Sequence, residues 1–469
     1  MEFGFWSVVP PLLTIVLALV TKNVFVSLLL GILCGSMVMC GGDIFSGVNE
    51  AFYSFIHTFE SNGNTVVLIS FLLIGALIHL IEISGGIDGF TEVMLKKQAL
   101  IKSERGACFF TWVLGIVIFT SGSLSCMVTG SVARPVNDAL KVPHEKASFL
   151  IHSTSTPWCV LLPLSGWLAA MTGYFTGGVA EGEAISMLLK SIPLNFYCIL
   201  AVFGALAVSL FNINIGPMKK AEKRAQETGE LDEPGHGTQL QSGNDKVANV
   251  KPRAQNMLVP MGVLILGILG VLMITGGGNP TKGAGMQALL WGCILAVLTM
   301  AIMCVAEKLY TVDGVVNEIF KGMSSMLSVA AILLLGFTMG NMVKSLDTGN
   351  YLTSVFMGVL TPALLPFLTF LLCLLLSFAT GTSMGTMAIM SVICFPMAIN
   401  MGISVPLVGG ALFGGSIFGD HCSPISDTTI MSCATSGCDI IDHIKTQAPY
   451  AAIFAGISAV LYVILGFIL

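Results

Sequence analysis

The chain has 469 residues, of which 55% are apolar and 10% are Asp, Glu, Lys or Arg, and its formal net charge is −5. Because a soluble domain carries about 25% charged residues, this composition argues against a cytosolic enzyme and indicates a membrane protein embedded in the lipid bilayer. The few basic residues are scattered along the chain, so nucleic acid is not an expected partner.

The first half of the chain contains several apolar segments of membrane-spanning length. A transmembrane helix needs roughly 20 apolar residues. Uninterrupted segments predict spans at 5–21, 23–40, 65–83 and 192–211. Two further apolar regions, 106–138 and 147–170, contain polar interruptions.

The region 106–138 is predicted to form a re-entrant hairpin. A turn sequence, Thr120-Ser121-Gly122-Ser123, lies at its middle. If the segment enters from the cytoplasm, turns and leaves on the same side, the basic residues of 96–105 and 141–146 lie inside, as the positive-inside rule expects. With five crossings per half, both termini then lie outside.

A hydrophilic segment, 217–254, divides the chain into two halves, 1–216 and 255–469. It contains seven Lys or Arg and six Asp or Glu, together with Gly and Pro. Such a composition is typical of a flexible linker, which the same rule places in the cytoplasm.

The second half resembles the first in its order of motifs. Its uninterrupted spans are predicted at 256–275, 286–306, 326–343 and 447–468, and a long interrupted region covers 362–436. GVNEAF at 47–52 recurs as VVNEIF at 315–320, and FTSGS at 119–123 recurs as FATGT at 378–382. Because each half crosses the membrane an odd number of times, the second half is inverted relative to the first. We therefore expect an all-α polytopic membrane protein of two inverted-topology repeats, each with a re-entrant hairpin and a broken transmembrane helix. This architecture is typical of secondary transporters.

The two hairpin tips are candidate ion-binding or substrate-binding sites. Backbone that leaves the helix within the membrane must be buried or line a wet cavity. Glycine permits a tight turn and close approach of a ligand, and hydroxyl and carbonyl oxygens suit a hard cation such as Na⁺. The candidate residues at the tips are Ser121, Gly122, Ser123, Thr380, Gly381, Thr382 and Ser383. Plain helix packing is the alternative role for such small residues.

Two further breaks are predicted as unwound stretches, Ser153–Pro157 and Gly419–Thr429. Their candidate binding residues are Ser153, Thr154, Ser155, Asp420, His421, Ser423, Asp427 and Thr428. Asp420 and Asp427 are the strongest candidates as Na⁺ ligands, because an ionisable residue within the membrane is costly and usually functional. The alternative is that this strip lies at the surface and the two aspartates only cap helices. Of the two we favour Asp420, because Gly419 before it allows close approach.

Three histidines raise the question of proton transfer. His152 and His421 lie at the two breaks, where each is either a titrating group or a structural histidine. His79 and Glu82 are spaced for one helix face, as a proton entry point or as an interfacial pair.

Sequence motifs of other function classes are missing. The 13 cysteines show no CxxC spacing, and the sequence contains no HExxH or GxxxxGK[ST] motif. We therefore expect no enzymatic activity, no disulfide framework and no cofactor beyond Na⁺ as a coupling ion. A channel would need a continuous pore with rings of like residues, which a single pair of aspartates does not supply.

The string GDHCSPISDTT at 419–429, the TGTS tip at 380–383 and the two-half layout resemble the NhaC family of sodium/proton antiporters. The resemblance implies a bacterial inner-membrane protein, often a homodimer, that works by alternating access. It implies Na⁺/H⁺ antiport as the simplest function. Because relatives include malate/lactate exchangers and amino-acid carriers, the alternative is Na⁺- or H⁺-coupled transport of a small organic anion or amino acid.

Overall fold

The computed structural model describes residues 3–21, 23–95, 101–119, 121–162, 166–176, 183–235, 251–278, 283–356 and 361–469. Within these ranges all regular structure is helical. Lys22, Lys96, Lys97 and Thr120, on which parts of the topology prediction rest, lie outside them, as do 236–250 of the linker.

Thirteen α-helices precede residue 229. They are α1 Val9–Thr21, α2 Val24–Met39, α3 Ile44–Glu60, α4 Asn62–Ile83, α5 Gly86–Leu95, α6 Glu104–Val117, α7 Gly122–Ala139, α8 His144–Thr154, α9 Thr156–Leu161, α10 Gly166–Thr176, α11 Ala184–Ser191, α12 Phe196–Phe211 and α13 Pro217–Thr228.

Ten α-helices follow in the second half. They are α14 Gln255–Thr275, α15 Gly285–Ala306, α16 Val312–Ser325, α17 Leu327–Ser345, α18 Thr348–Phe356, α19 Leu365–Thr380, α20 Ser383–Asn400, α21 Val405–Cys422, α22 Asp427–Ser436 and α23 Ile440–Ile468.

The protein is a multi-pass membrane protein. Among the described residues, seven helices are long and apolar enough to cross a membrane, and two bent pairs raise the number to nine. Every uninterrupted span predicted from the sequence coincides with one of these helices or, for 23–40, with the shorter α2. Large apolar side chains such as Leu266, Ile274 and Ile302 are exposed on α14 and α15, as expected of faces that contact lipid.

The first hairpin consists of α6 and α7. Ser121 is extended, with φ of −153°, and Gly122 begins the second helix. Gln226 of α13 lies 3.0 Å from Glu104 Oε2 at the start of α6 and 3.5 Å from the main-chain oxygen of Lys141 just after α7. Both open ends of the hairpin therefore lie on the face where the linker helix lies.

The second hairpin consists of α19 and α20. α19 ends at Gly381, whose φ of +67° is accessible mainly to glycine. The Thr382 side chain then caps α20. Beside this hairpin α21 runs parallel to α19, since Gly415 contacts Phe370 and Gly419 contacts Ser377.

The breaks in the two broken helices are shorter than the sequence predicted. Ser153 and Thr154 are still helical, and α8 stops only at Ser155. Pro157 takes the second position of α9, where no N–H is needed, so the break falls just before that helix. Residues 419–422 are the last turn of α21, and only 423–426 are non-helical. Ser423 precedes Pro424, and a residue before proline disfavours the helical conformation.

The first part of the linker is folded, contrary to the prediction of a flexible segment. Lys146 of α8 is buried and pairs with Glu104 at 2.7 Å and with Glu222 of α13 at 3.1 Å. Arg224 of α13 pairs with the buried Glu145 at 2.8 Å. The Arg224–Glu145 ion pair and the contact of Lys146 with Glu222 hold α13 against the starts of α6 and α8, because a buried charge needs a partner.

The two halves place their matching motifs on matching elements. GVNEAF lies on α3 and VVNEIF on α16, each followed by a long apolar helix, a short helix, a hairpin and a broken helix. The inverted-topology relation of the halves stays a prediction.

Candidate functional site

The break between α21 and α22 forms a pocket of hydroxyl groups around one carboxylate. Asp420 is 2% exposed. Ser426 Oγ donates a hydrogen bond to its Oδ1 at 2.6 Å, and Thr428 Oγ1 donates to its Oδ2 at 2.9 Å. Thr429 Oγ1 donates to the main-chain oxygen of Asp420 at 2.9 Å. The non-helical residues 423–426 thus turn the chain back so that the first turn of α22 covers the last turn of α21.

Two more hydroxyl groups lie buried at the breaks without a hydrogen-bond partner among the described residues. They belong to Ser423, between α21 and α22, and to Thr156, the first residue of α9. The Thr156 hydroxyl interacts with the Asp420 carboxylate without completing a hydrogen bond. A buried polar group without a partner is unfavourable, so these oxygens are available as ligands. One carboxylate and two free hydroxyl oxygens suit a hard monovalent cation better than a soft metal.

Both hairpin tips contact the breaks. A Cβ atom at Gly122 would lie 2.6 Å from the Thr156 hydroxyl, and one at Gly381 would lie 2.6 Å from the Ile425 side chain. Ser123 Oγ donates a hydrogen bond to Asp427 Oδ2 at 2.9 Å. The tips from the two halves therefore both contact one short segment, 425–427.

Several predicted tip and break residues use their hydroxyls elsewhere. Thr154 Oγ1 donates to the oxygen of Leu150 in its own helix at 2.7 Å, and Thr380 Oγ1 donates to Leu376 in the same way at 2.8 Å. Thr382 Oγ1 accepts from the N–H of Gly385 as a helix cap. Ser155 Oγ donates to the oxygen of His152 at 2.9 Å. Ser121, Ser153 and Ser383 have no described bond to Asp420 or Asp427. These residues shape the breaks rather than surround the carboxylate.

Asp427 has different surroundings from Asp420. It is exposed and is the first residue of α22, where a negative charge interacts favourably with the helix dipole. The cap of this helix is the Ser426 side chain, which accepts from the N–H of Thr429. Asp427 is thus a polar link between the first hairpin and α22.

Three histidines lie together behind the carboxylate. The ring centroids of His152 and His421 are 4.6 Å apart, and those of His152 and His443 are 5.3 Å apart. His152 Nε2 lies 3.0 Å from Thr428 Oγ1, and His421 Nδ1 lies 2.9 Å from the Tyr197 hydroxyl. All three rings are buried.

Sequence reasoning missed four residues of this cluster: Thr156, Ser426, His443 and Gln447. The first two lie inside the recognised motifs. His443 and Gln447 lie four residues apart near the start of an apolar span, so they share one helix face that can turn away from lipid. That spacing was a usable signal of a buried polar pair.

His79 does not pair with Glu82. Its Nε2 lies 2.8 Å from Glu318 of α16. Because α4 and α16 pack against each other, the partner comes from the other half of the chain and from the recurring VNE motif. The pair is far along the sequence from the Asp420 pocket and shares no described contact with it.

Several known proteins are similar to this chain in sequence. The profile of the family described as "Na+/H+ antiporter family" matches residues 158–467. An uncharacterized protein of Haemophilus influenzae is 31% identical over 486 aligned residues, covering 98% of this chain and 91% of that protein. The malate-2H(+)/Na(+)-lactate antiporter of Bacillus subtilis is 29% identical over 161 residues, about a third of either chain (34% of each).

Solved structures show the same fold at low sequence identity. The YdaH transporter of Alcanivorax borkumensis aligns with a TM-score of 0.58 and 13% identity, over 90% of this chain and 89% of that one. The likeness is one of fold, and it confirms the expected all-α polytopic membrane architecture. The match includes the break between α21 and α22 with Asp420, and residues 255–467 of the second half. The chain belongs to the Na⁺/H⁺ antiporter family.

Proposed function

We propose that this protein is a sodium-coupled secondary transporter that exchanges Na⁺ for H⁺ by alternating access, with Asp420 as the group that both ions occupy in turn. Family membership supports sodium and protons as the transported ions. The observation that carries the assignment to Asp420 is the buried carboxylate with two hydroxyl donors and the Thr156 hydroxyl next to it, together with the Ser423 hydroxyl at the same break, which has no partner among the described residues.

The chemistry of exchange follows from the cost of a buried charge. Among the described residues, the hydrogen bonds to the Asp420 carboxylate come from the neutral Ser426 and Thr428. A buried carboxylate without a counter-ion is unfavourable. Binding of either Na⁺ or a proton removes the net charge, and the same oxygens serve both. Since the two ions compete for one group, release of one favours uptake of the other.

Ser423 and Thr156 are the proposed neutral ligands of the sodium ion. Their hydroxyl oxygens come from the two different broken helices, α21–α22 and α8–α9. Because its ligands come from both breaks, the Na⁺ site is lost when the two breaks move apart. Such a movement gives alternating access a physical basis. The glycines at the tips, Gly122 and Gly381, have no side chains, so the tips can lie close to the breaks.

The remaining expectations belong to the same proposal. The protein resides in the bacterial inner membrane, with the linker in the cytoplasm and both termini outside, and it assembles as a homodimer. The folded linker helix α13 lies on the same face as 102–105 and 141–146, which supports one common side for these basic segments.

A second candidate function is coupled transport of a small organic anion or amino acid. It is favoured by the similarity to the malate-2H(+)/Na(+)-lactate antiporter and by the α8–α9 break, whose residues 153–157 include no carboxylate. An organic anion would find hydroxyl groups there once a bound cation neutralises Asp420, with which Thr156 interacts.

Flux in proteoliposomes tests the proposal. An outward or inward Na⁺ gradient should drive proton movement in the opposite direction through the purified wild type. Asp420→Asn keeps an oxygen ligand but forbids the proton cycle, so flux should fall to that of empty liposomes at unchanged protein abundance. Asp427→Asn should retain most of the flux, as should Asp313→Asn, a control on the exposed start of α16.

The outcomes separate the alternatives. Normal flux in Asp420→Asn with loss in Asp427→Asn would move the site to the exposed aspartate. Normal flux in both would remove the site from this break. Wild-type flux that requires an added organic acid or amino acid, supplied from a panel, would favour the second candidate function.

A further inference from the structure

A continuous chain of hydrogen bonds leads from Asp420 to a second buried histidine. Thr428 Oγ1 lies 2.9 Å from Asp420 Oδ2 and 3.0 Å from His152 Nε2. His152 Nδ1 lies 3.0 Å from His443 Nε2. Each of these four side chains is buried, at 4% exposure or less, so water cannot readily replace any link.

The direction of each bond follows from the donors available. When Asp420 is ionised, the single hydroxyl proton of Thr428 points to the carboxylate, so His152 must donate from Nε2. Its Nδ1 then accepts, and it receives hydrogen bonds from His443 Nε2 and from the Gln447 amide at 3.2 Å. The amide orientation is fixed because the same nitrogen donates to the oxygen of His421 at 2.7 Å.

This assignment leaves one nitrogen atom without a partner. His443 carries its proton on Nε2, so its Nδ1 has a free lone pair, and this buried atom has no hydrogen-bond partner among the described residues. A fully buried basic nitrogen aimed away from the chain of bonds is a proton acceptor at the end of that chain.

We propose that Thr428, His152 and His443 form a proton relay between Asp420 and the face of the protein where the linker helix lies. The inference rests on the proposed function, since it concerns the proton of the Na⁺/H⁺ exchange. A proton binds His443 Nδ1, and His443 gives its Nε2 proton to His152 Nδ1. His152 gives its Nε2 proton to Thr428, which gives its own hydroxyl proton to Asp420.

The step balances with one proton in and one proton delivered. Both imidazoles finish neutral, each as the other tautomer, and Thr428 finishes as a hydroxyl with a new proton. Reversal of the same transfers releases the proton from Asp420 when Na⁺ takes its place. Gln447 favours the starting tautomers. Its amide donates to His152 Nδ1, which is an acceptor before the transfer and carries a proton after it.

The start of α23, which carries His443, lies near the linker-side face. His443 is in the first turn of α23, which begins just after Gly437. A Cβ atom at Gly437 would lie 2.5 Å from the Arg134 side chain and 3.1 Å from that of His144. His144 in turn pairs with Asp232 of the linker at 2.8 Å.

The neighbouring titratable groups stand beside the relay rather than in it. The His421 ring contacts His152 edge-on, and its Nδ1 is bonded to Tyr197. Asp442, next to His443, pairs with Lys445 at 3.3 Å. Asp427 is bonded to Ser123.

Coupled exchange requires that the relay be broken when Asp420 faces the opposite side of the membrane. The bonds Thr428–His152 and His152–His443 join three separate helices, α22, α8 and α23. These are the links that a relative movement of the helices would open.

The relay predicts that Na⁺/H⁺ exchange and Na⁺/Na⁺ exchange respond differently to His443→Gln. The amide can still donate to His152 but cannot pass a proton on. In proteoliposomes, proton-coupled Na⁺ flux should fall about a hundredfold, the range of a lost acid–base group. Exchange of radioactive Na⁺ for unlabelled Na⁺, which needs no proton transfer, should stay within about twofold of the wild type, because the Asp420 ligands are unaltered.

Controls separate the relay from a structural role. His57→Gln, an exposed histidine paired with Glu60, should leave both rates unchanged, and His152→Gln should repeat the His443→Gln result. Unchanged proton-coupled flux in His443→Gln would overturn the relay, and so would equal loss of both rates in every folded variant. If His443→Gln does not fold, His443→Asn is read by the same criterion. A wild type that shows no proton-coupled Na⁺ flux would refute the proposed function itself.

Discussion

Asp420 and Asp427 lie seven residues apart and have opposite environments. Asp420 is buried and receives hydrogen bonds from Ser426 and Thr428, whereas Asp427 is exposed and bonds Ser123. Only the buried carboxylate incurs a large desolvation cost when it is charged and has neither Na⁺ nor a proton bound. At the residue scale, this cost is what makes the proposed exchange obligatory.

The unpartnered hydroxyl of Thr156 provides a residue-scale prediction. Thr156→Val keeps the shape and removes a ligand, so the Na⁺ concentration for half-maximal flux should rise about fivefold to tenfold, equivalent to about 1 kcal/mol for one polar contact. Stability should change little, since the Thr156 hydroxyl completes no hydrogen bond among the described residues. Initial rates at varied Na⁺ and thermal unfolding in detergent measure the two quantities.

Thr172→Val is the matched control, since the Thr172 hydroxyl is also buried and unpartnered among the described residues but lies on α10. It should leave the Na⁺ dependence unchanged. An equal rise in both variants would mean that Thr156 is not a ligand.

The first hairpin and the linker helix are coupled at the scale of elements through Lys146. This buried ammonium group binds Glu104 of α6, Glu222 of α13 and the amide oxygen of Asn212. Burial, with the nearby Glu104 adding to it, raises the pKa of Glu222 to about 7 despite the opposing effect of Lys146. The docked state of α13 therefore favours the protonated form of Glu222.

Docking of α13 should weaken as the pH rises. A carboxyl group whose pKa is raised in the docked state contributes most below its ordinary value, 4.5, and this contribution is lost as the pH rises through about 7. Hydrogen exchange of residues 217–228 should therefore accelerate between pH 5 and pH 7 beyond the intrinsic chemical rate. Glu222→Gln, which cannot ionise, should abolish the excess.

Glu227→Gln, an exposed residue of the same helix, should retain the pH effect. If the excess persists in Glu222→Gln, another group controls the docking of α13.

The tip of the second hairpin depends on one glycine. Gly381 has φ of +67°, and a Cβ atom there would lie 2.6 Å from Ile425. Gly381→Ala should lower the stability by about 1–2 kcal/mol for the left-handed conformation alone and should also displace segment 425–427, so transport should fall more than stability. Thermal unfolding and flux of the same preparation measure this difference.

Gly270→Ala on α14 is the appropriate control, because a Cβ atom there meets nothing within 4 Å. It should be neutral or slightly stabilising, as expected of alanine in a helix. A similar effect of both substitutions would contradict the assigned role of Gly381.

At the scale of the whole molecule, the two hairpins determine the topology. The open ends of the first hairpin lie beside α13, and α21 runs parallel to α19 of the second hairpin. The C-terminal end of α23 lies beside Ala363 at the start of α19, since a Cβ atom at Gly466 would contact the Ala363 oxygen. Since α23 begins near the linker-side face and is 29 residues long, about 43 Å at 1.5 Å per residue, these contacts favour hairpins that open to opposite faces.

Cysteine labelling tests this topology. Eleven of the 13 cysteines are buried, so replacement of Cys34 and Cys40 by serine gives a background with little labelling of native cysteines. In that background Lys102→Cys and Glu227→Cys should react with a membrane-impermeant maleimide only from the cytoplasmic side, and Thr275→Cys at the end of α14 only from outside. Reaction of all three from one side would refute both the first hairpin and the inverted arrangement.

The sequence determines much of the fold because span length and turn chemistry are local. The eight uninterrupted spans and the tips at Gly122 and Gly381 were predictable, since apolar runs of membrane length and small polar turns act within one segment. The breaks were predicted at the correct motifs but too long, because the preference of Ser423 for a non-helical conformation before Pro424 acts on a single residue.

Tertiary structure decides what depends on burial and on partners far apart in sequence. His152 meets His443 across 291 residues, and His79 meets Glu318 across 239. No local pattern reports such pairs. The docking of α13 likewise depends on Lys146, a lysine that the charge pattern alone places in a solvated loop. The sequence by itself determined that this is a membrane transporter with a polar break at 419–429; only packing decided that Asp420 is buried among hydroxyls and Asp427 is not, because desolvation is a property of the assembled helices.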